Sequence, residues 1–242
     1  CGIGCSGRLS GYVYAYGMHT THGRALPFAQ GLKLANPELT VIAGGGDGDG
    51  MAIGLGHTYH AIRRNVNLTY ILMDNHVYGL TKGQTSPRSD WGFKTKTTPT
   101  GNIETPVATL EMALSAGASF VAQGFSTQLQ ELTDLIVAAV KHPGFSLVNV
   151  FSPCVTFNKV NTYDWFKERL VGIDSIEDYD RYDKGKVLQH ILEHEGLLTG
   201  LLYEDRKKRS YEEVSGLADN NQMQSVLKFT KAEFDKLVED FR

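Results

Sequence analysis

Two apolar runs, Thr40–Ala43 and Leu68–Met73, frame the most regular part of the chain. Short, rich in β-branched or aliphatic residues and bounded by glycine or polar sequence, they read as buried strands. The segment from Met51 to about Arg64 between them reads as a helix, so the stretch is one β-α-β unit. Its first strand ends at Gly44 and runs into Gly45, Gly46, Asp47, Gly48, Asp49 and Gly50; its second ends at Asp74 and Asn75. Upstream, Pro27–Ala35 has helical spacing and is stopped by Asn36-Pro37, because the residue before proline avoids the α region. Downstream, Thr105-Pro106 predicts a helix start with proline at its first position, closed by Gly117. Ala118–Val121 is a short strand. Thr127 and Gln130 suggest a capping box before Leu129, Leu132, Leu135, Ile136 and Ala139, a helix ending near Lys141. Ser146–Phe151 is another buried strand, with Cys154 just past its end. This alternation predicts an α/β fold, a parallel sheet with helices on both faces.

Two regions lack such periodicity. Residues 78–104 carry many Gly, Thr, Ser, Pro and Lys, and so long a loop in a compact domain is functional or disordered. After about Lys159 no further strong strand is expected: Glu204–Glu213 reads as a solvated helix or linker, and Val226–Phe241 has helical spacing. The expected division is a domain over residues 1–160 and a C-terminal helical arm or tail over 161–242.

Composition narrows the function classes. The 242 residues carry a formal net charge of -3, which points to no general affinity for nucleic acid or acidic lipid. No apolar run has the length of a membrane span, and no signal peptide is visible. Three cysteines do not make a secreted disulfide framework, so a reducing, cytoplasmic location is expected. The first residue is Cys1 rather than Met, so an upstream segment is expected.

The glycine loop carries the candidate chemistry. Open α/β sheets bind ligands at the carboxyl edge of their strands, where both Asp47 and Asp74-Asn75 fall. Glycines let a backbone approach phosphate, and a helix N-terminus offers free N–H groups. Two carboxylates there would repel a bare phosphate, but they suit a diphosphate bridged by Mg²⁺, which takes octahedral oxygen ligands. Asp47, the Asn75 side-chain carbonyl and the Val77 backbone carbonyl are the candidate ligands. A plain turn or a Rossmann-type loop is the alternative, although G-x-G-x-x-G fits poorly and no Lys-Ser or Lys-Thr follows for a P-loop. Of the other polar residues, His19, His22, His57, His60 and His76 show no metal-site spacing with a third ligand.

Gly46-Asp47-Gly48 followed by Asn75 resembles the motif by which thiamine-diphosphate enzymes hold their cofactor. The run Asp74-Asn75-His76-Val77-Tyr78-Gly79-Leu80-Thr81-Lys82-Gly83-Gln84 is narrower. With Gly2–Arg8, His22–Pro27, Lys33–Pro37 and Cys154, it resembles the thiamine-diphosphate (beta) subunit of 2-oxoacid:ferredoxin oxidoreductases, nearest the 2-oxoglutarate type. That resemblance implies a parallel-sheet thiamine-diphosphate-binding fold and oxidative decarboxylation of 2-oxoglutarate to an acyl-CoA, with electrons passed through iron–sulfur centres to ferredoxin. Pyruvate or branched-chain 2-oxoacids are the alternative substrates, and a non-catalytic fragment or assembly subunit is the alternative role. Cofactor contacts are implied for His22, Gly46, Asp47, Gly48, Asp49, Asn75, Val77, Gly79, Leu80 and Thr81. Asp47, Asn75 and Val77 would hold Mg²⁺. Cys5 and Cys154 would supply two of the four thiolates of a 4Fe-4S cluster, with Cys1 a doubtful third, since the family carries a C-x-x-C pair upstream. Arg8, Leu80 and Lys82 would meet the substrate, a guanidinium being able to fork onto a distal carboxylate. The glutamate that activates the cofactor's pyrimidine is expected from an alpha subunit.

Overall fold

The computed structural model describes residues 1–219 and 230–239. An N-terminal segment holds a 3₁₀ turn (Cys5–Arg8) and the one-turn helix α1 (Leu9–Tyr12), and leads to α2 (Ala25–Ala35). Then come β1 (Ile42–Gly46), a π-helical turn (Asp49–Ile53), α3 (Leu55–Arg64) and β2 (Leu68–Asp74). After the long loop follow α4 (Thr109–Ser115), β3 (Phe120–Phe125), α5 (Leu129–Lys141) and β4 (Phe145–Phe151). The C-terminal part adds α6 (Tyr163–Lys167), β5 (Val171–Gly172), α7 (Lys184–Glu193), β6 (Leu198–Glu204), α8 (Tyr211–Ser215) and α9 (Lys231–Glu239).

The six strands form one sheet in the order β1-β2-β4-β3-β6-β5. Strands β1 to β4 are mutually parallel, and β6 runs antiparallel to β3. Every residue of β4 is buried, as expected for a central parallel strand covered on both faces. On one face Tyr70, Leu72, Leu147 and Val121 pack against Leu26 of α2, Ile62 of α3, Leu114 of α4 and Ile191 of α7. On the other, Ile71, Val148, Val150 and Ala122 meet Leu135 and Ala139 of α5. Each large aliphatic side chain buried in this way stabilises the fold by roughly 1.5–3 kcal/mol. The expected α/β sheet with helices on both faces is therefore present.

Several expectations are corrected. β1 does not stop at Ala43; it runs through the glycines, Gly44, Gly45 and Gly46 pairing with Ile71, Leu72 and Met73. The helix predicted from Thr105 begins at Thr109, because the Val107 N–H donates to Pro87 O (2.8 Å) and Arg88 Nη1 donates to Val107 O (2.6 Å), holding that stretch on the preceding loop. The capping box at α5 is absent: Gln128 is the N-cap without a side-chain bond, and Gln130 instead donates to Asp134 one turn on. The largest correction concerns β6, a seven-residue strand where none was expected. Gln123 of β3 donates to Leu198 O (2.6 Å) and Gly196 O (2.7 Å), anchoring its start. Glu204–Glu213, expected as a solvated helix or linker, is exposed or half-buried over most of its length and ends in the first residues of α8, but it is anchored at two buried positions, Ser210 and Glu212. Its Glu212 is buried and accepts the Asn67 N–H on both carboxylate oxygens (3.1 Å each), tying α8 to the start of β2. Of the helical pattern seen over Val226–Phe241, residues 226–229, 240 and 241 lie outside the described residues.

Candidate functional site

The carboxyl ends of β1 and β2 are neighbours, Gly46 pairing with Met73, so Asp47 and Asp74 emerge side by side. Beyond them opens a cavity of about 540 Å³. It is lined by His22, Gly46, Asp47, Gly48, Asp49, Asn75, Val77, Gly79, Leu80, Thr81 and Cys5, together with Ile3, Gly4, Ser6, Tyr78 and Ser152 among others. Every expected cofactor-contact residue thus lines one space. Arg8 and Lys82 are exposed and outside that lining. A larger groove of about 800 Å³ runs between α5 and the β5–β6 edge, but its lining mixes Glu131, Asp134, Lys167 and Arg181 without a glycine loop.

The three aspartates at this edge have different surroundings. Asp47 is 2% exposed and accepts a hydrogen bond from Ser86 Oγ. Burial and the adjacent Asp74 carboxylate push its pKa up to about 7, against the pull of Ser86, His76 and Arg88. Asp74 is fully buried; burial alone would raise it, but Arg88 Nε at 2.8 Å and His76 Nε2 at 3.4 Å outweigh that and hold it below the usual carboxylate range. Burial lowers the pKa of His76, but contact with Asp74 outweighs this and raises it overall. The His76 ring sits edge-on to Phe151 and Phe166. Asp49, 3% exposed, is spent on the backbone: its Oδ1 accepts from Gly23 N (2.7 Å) and Ile3 N (3.1 Å) and lies 2.9 Å from His22 Nδ1. It knits the N-terminal loop to the turn after β1.

The rest of the cradle is built by close approach. A Cβ on Gly48 would stand 2.0 Å from the Tyr78 ring, whose hydroxyl donates to Gly48 O (3.1 Å), so only glycine allows that contact. The Asn75 side chain accepts the Val77 N–H (3.1 Å), an Asx turn that aims the chain into the cavity, and Asn158 Nδ2 holds Asn75 O (3.2 Å). The segment Tyr78–Gln84 closes as a small hairpin, with Tyr78 N donating to Gln84 O and Gly83 N to Tyr78 O. Next to its base, Cys5 Sγ and Cys154 Sγ each lie 3.4 Å from the point where a Gly79 Cβ would be, so the sulfurs are within twice that distance of each other. Cys1 Sγ lies elsewhere, against Gly44 in β1.

These residues fit a diphosphate–cation pair on the structure's own terms. Asp47 is a buried carboxylate with no basic partner in direct contact among the described residues, and a divalent cation would restore it to its charged form. Ser6 Oγ, in the same lining and close to Gly46, is buried and has no hydrogen-bond partner among the described residues. The turn starting at Asp49 has no side-chain cap.

Residues 2–150 match the family described as thiamine pyrophosphate enzyme, C-terminal TPP binding domain. Residues 154–219 match the family described as the C-terminal part of the pyruvate ferredoxin oxidoreductase beta subunit. A solved 2-oxoglutarate:ferredoxin oxidoreductase from Magnetococcus marinus superposes with a TM-score of 0.85 and 40% identity, covering 100% of this chain and 81% of the other. The chain belongs to the beta subunits of the 2-oxoacid:ferredoxin oxidoreductases. A beta subunit from Sulfolobus sp is 47% identical over 181 residues, 74% of this chain and 59% of that one. The 2-oxoglutarate synthase subunit KorB of Archaeoglobus fulgidus is 47% identical over 166 residues, 69% of this chain and 62% of its own. This beta-subunit chain thus spans about three-fifths of the length of such curated relatives. The second family match covers β5, α7 and β6, the region where no strand was expected.

Sequence reasoning missed Ser86 and Arg88, which set the charge of the two strand-end aspartates. Their only signal was a polar, aperiodic loop too long to be a plain connection.

Proposed function

We propose that this chain is the thiamine-diphosphate-carrying subunit of an enzyme that oxidatively decarboxylates 2-oxoglutarate to an acyl-CoA, passing electrons through iron–sulfur centres to ferredoxin. The observation that carries this reading is the buried Asp47 carboxylate at the mouth of a glycine-lined cavity, with Asn75 and Val77 beside it. Asp47, the Asn75 side chain and the Val77 carbonyl would hold Mg²⁺, while Gly46, Gly48, Asp49, His22, Gly79, Leu80 and Thr81 would surround the cofactor. When bound, thiamine diphosphate supplies the carbon centre that attacks the 2-oxo group and bears the charge left by decarboxylation. The protein's own part is to bind, orient and exclude water: Tyr78 closes onto Gly48, and Asp49 fixes the loop that carries His22. Cys5 and Cys154 approach each other at Gly79 closely enough to serve one 4Fe-4S cluster, its remaining thiolates coming from outside these two positions. Arg8 and Lys82, exposed on segments next to the cavity, are the cations that would meet the distal carboxylate of a dicarboxylic 2-oxoacid.

The acid that activates the pyrimidine belongs to a partner alpha subunit in this reading, since among the lining residues Asp47 and Asp49 are the only acids and both are committed. The described helices include none long and apolar enough to cross a membrane, and the oxygen-sensitive, thiolate-based chemistry suits a reducing cytoplasm. The test is to assay the chain alone and with its alpha subunit, supplying Mg²⁺, thiamine diphosphate, CoA and a viologen acceptor. 2-Oxoglutarate turnover is expected only from the pair, with iron and acid-labile sulfide in the purified complex. Turnover by the chain alone would place the activating acid here, and faster use of pyruvate would change the substrate.

A further inference from the structure

We propose a zinc-binding site at the C-terminal end of α7, made by His190, Glu193 and His194. It lies outside the cavity described above and does not depend on the proposed function. Ile191 of the same turn is fully buried against the sheet, which fixes how α7 rotates. Residues three and four apart then share one face, and one ligand atom from each of the three side chains lies within 4.8 Å of the other two. The two histidines stand at the i, i+4 spacing that zinc proteins use on a helix, and Glu193 joins them as a third donor by its distance to His190.

The geometry around each donor points the same way. His190 Nδ1 is buried, has no hydrogen-bond partner among the described residues, and stands 3.4 Å from Glu193 Oε2. That is long for a charge-assisted hydrogen bond. It is the separation of two donors on one tetrahedral ion, about 3.3–3.4 Å for zinc–ligand bonds of about 2.0–2.1 Å. The other polar atoms are already held. Glu193 Oε1 accepts from Gln189 Nε2 (2.7 Å), leaving Oε2 free to turn toward His190. His194 Nδ1 lies 2.9 Å from His190 O; a carbonyl only accepts, so Nδ1 carries the proton and Nε2 keeps its lone pair. The Tyr179 ring lies 5.2 Å from the His190 ring at 32°, limiting how the imidazole can turn. Such outer contacts are what orient metal-binding histidines and carboxylates. The site also sits at a helix C-terminus, where the dipole favours a cation. Two imidazoles and a carboxylate suit zinc over the all-oxygen preference of Mg²⁺ and Ca²⁺. The half-exposed Glu193 side leaves room for water as the fourth ligand. An ion here would staple the last turn of α7 just before the chain enters β6.

The experiment titrates Zn²⁺ into the tag-free full chain against a chromophoric chelator, with excess Mg²⁺ to fill the cavity site. A Cys1→Ser/Cys5→Ser/Cys154→Ser background removes the three competing thiols. One equivalent of Zn²⁺ is expected to bind in that background. Affinity should fall by at least about tenfold in His194→Gln and by roughly tenfold in Gln189→Ala, which only orients Glu193. Glu193→Gln, at a half-exposed position, serves as the second ligand variant should His194→Gln unfold. Co²⁺ in the same background should give tetrahedral d–d bands. Zinc affinity unchanged in both ligand variants, or binding abolished by the cysteine substitutions alone, would overturn the site.

Discussion

The ends of β1 and β2 each deliver a buried aspartate to the same edge of the sheet, yet the two regions treat that charge in opposite ways. At the end of β2, Asp74 is enclosed by Arg88 and His76, and the protein neutralises it internally. At the end of β1, Asp47 has a serine hydroxyl and no cation in contact, and its proton affinity rises toward neutral pH. Burying a carboxylate without a cation beside it is costly, which is why the proposed reading gives the ion to Asp47 and not to Asp74. Burial alone does not separate the two acids; the cation beside Asp74 and not beside Asp47 does.

The comparison breaks most severely if Arg88 is removed. Arg88→Met leaves Asp74 as an uncompensated buried charge, and destabilisation of about 3–5 kcal/mol is expected in urea unfolding. A loss below about 1 kcal/mol would mean that His76 alone satisfies Asp74. The pH dependence should split the pair next. Asp47 has a folded pKa raised from 3.8 to about 7. Between those values the unfolded chain has released its proton while the folded chain keeps it, so stability falls as pH rises and levels off above about 7, a total of about 4 kcal/mol. Asp74, held low, contributes in the other sense: its stabilisation is present above about pH 4 and lost on acidification. Unfolding in a metal chelator at pH 5 and pH 8 should therefore show a decline in the wild type that Asp47→Asn reduces, the remainder belonging to His76, whose raised pKa acts in the same sense. A decline of undiminished size in Asp47→Asn would assign all of it to His76 or another group.

Cofactor binding sharpens the same contrast. Asp47→Asn should weaken Mg²⁺-thiamine diphosphate binding by the assembled enzyme at least a hundredfold, roughly 2.7 kcal/mol, with Asn75→Leu acting in the same direction. Calorimetry showing wild-type affinity would remove Asp47 as a ligand.

How much of this was legible in the sequence follows from the same physics. The glycine loop, Asp47 and Asn75 stand within one β-α-β unit whose periodicity is local, so the fold class and the strand-end oxygen ligands could be read directly, whereas His22, Gly79, Leu80 and Thr81 came only through the family resemblance. Ser86 and Arg88 act across 39 and 14 positions of sequence from a loop with no period, and nothing local announces them. β6 was hidden for a different reason. Its Gly200 sits at φ 125 and its pairing with β3 shifts register between Val121 and Ala122, so the strand lacks the clean alternation that marks an isolated run. The start of α4 was misplaced because Pro106 is a good first helical residue in isolation, while tertiary bonds from Val107 to Pro87 and Arg88 hold it extended. Cys5 and Cys154 were paired through resemblance; only the fold brings both to Gly79.

The smallest expected effect separates Asp47 from its neighbour two residues on. Asp49 is as buried as Asp47 and lines the same cavity, so proximity alone would make it an equal candidate for the cation. Its Oδ1, however, already receives two backbone N–H groups and faces His22, and the loop carrying Ile3 and Gly23 depends on those bonds. Asp49→Asn keeps an acceptor oxygen in the same place while removing the charge. Two charge-assisted bonds become neutral ones, a cost of about 1–2 kcal/mol in stability. Cofactor affinity should fall by less than about tenfold, because the loop stays docked and the ligand at Asp47 is untouched. Asp49→Ala, which removes the acceptor, should loosen the N-terminal loop as well, seen as faster amide exchange at Ile3 and Gly23. If Asp49→Asn instead lost the cofactor as completely as Asp47→Asn, both carboxylates would be serving the ion, and the division of labour along this turn would have to be redrawn.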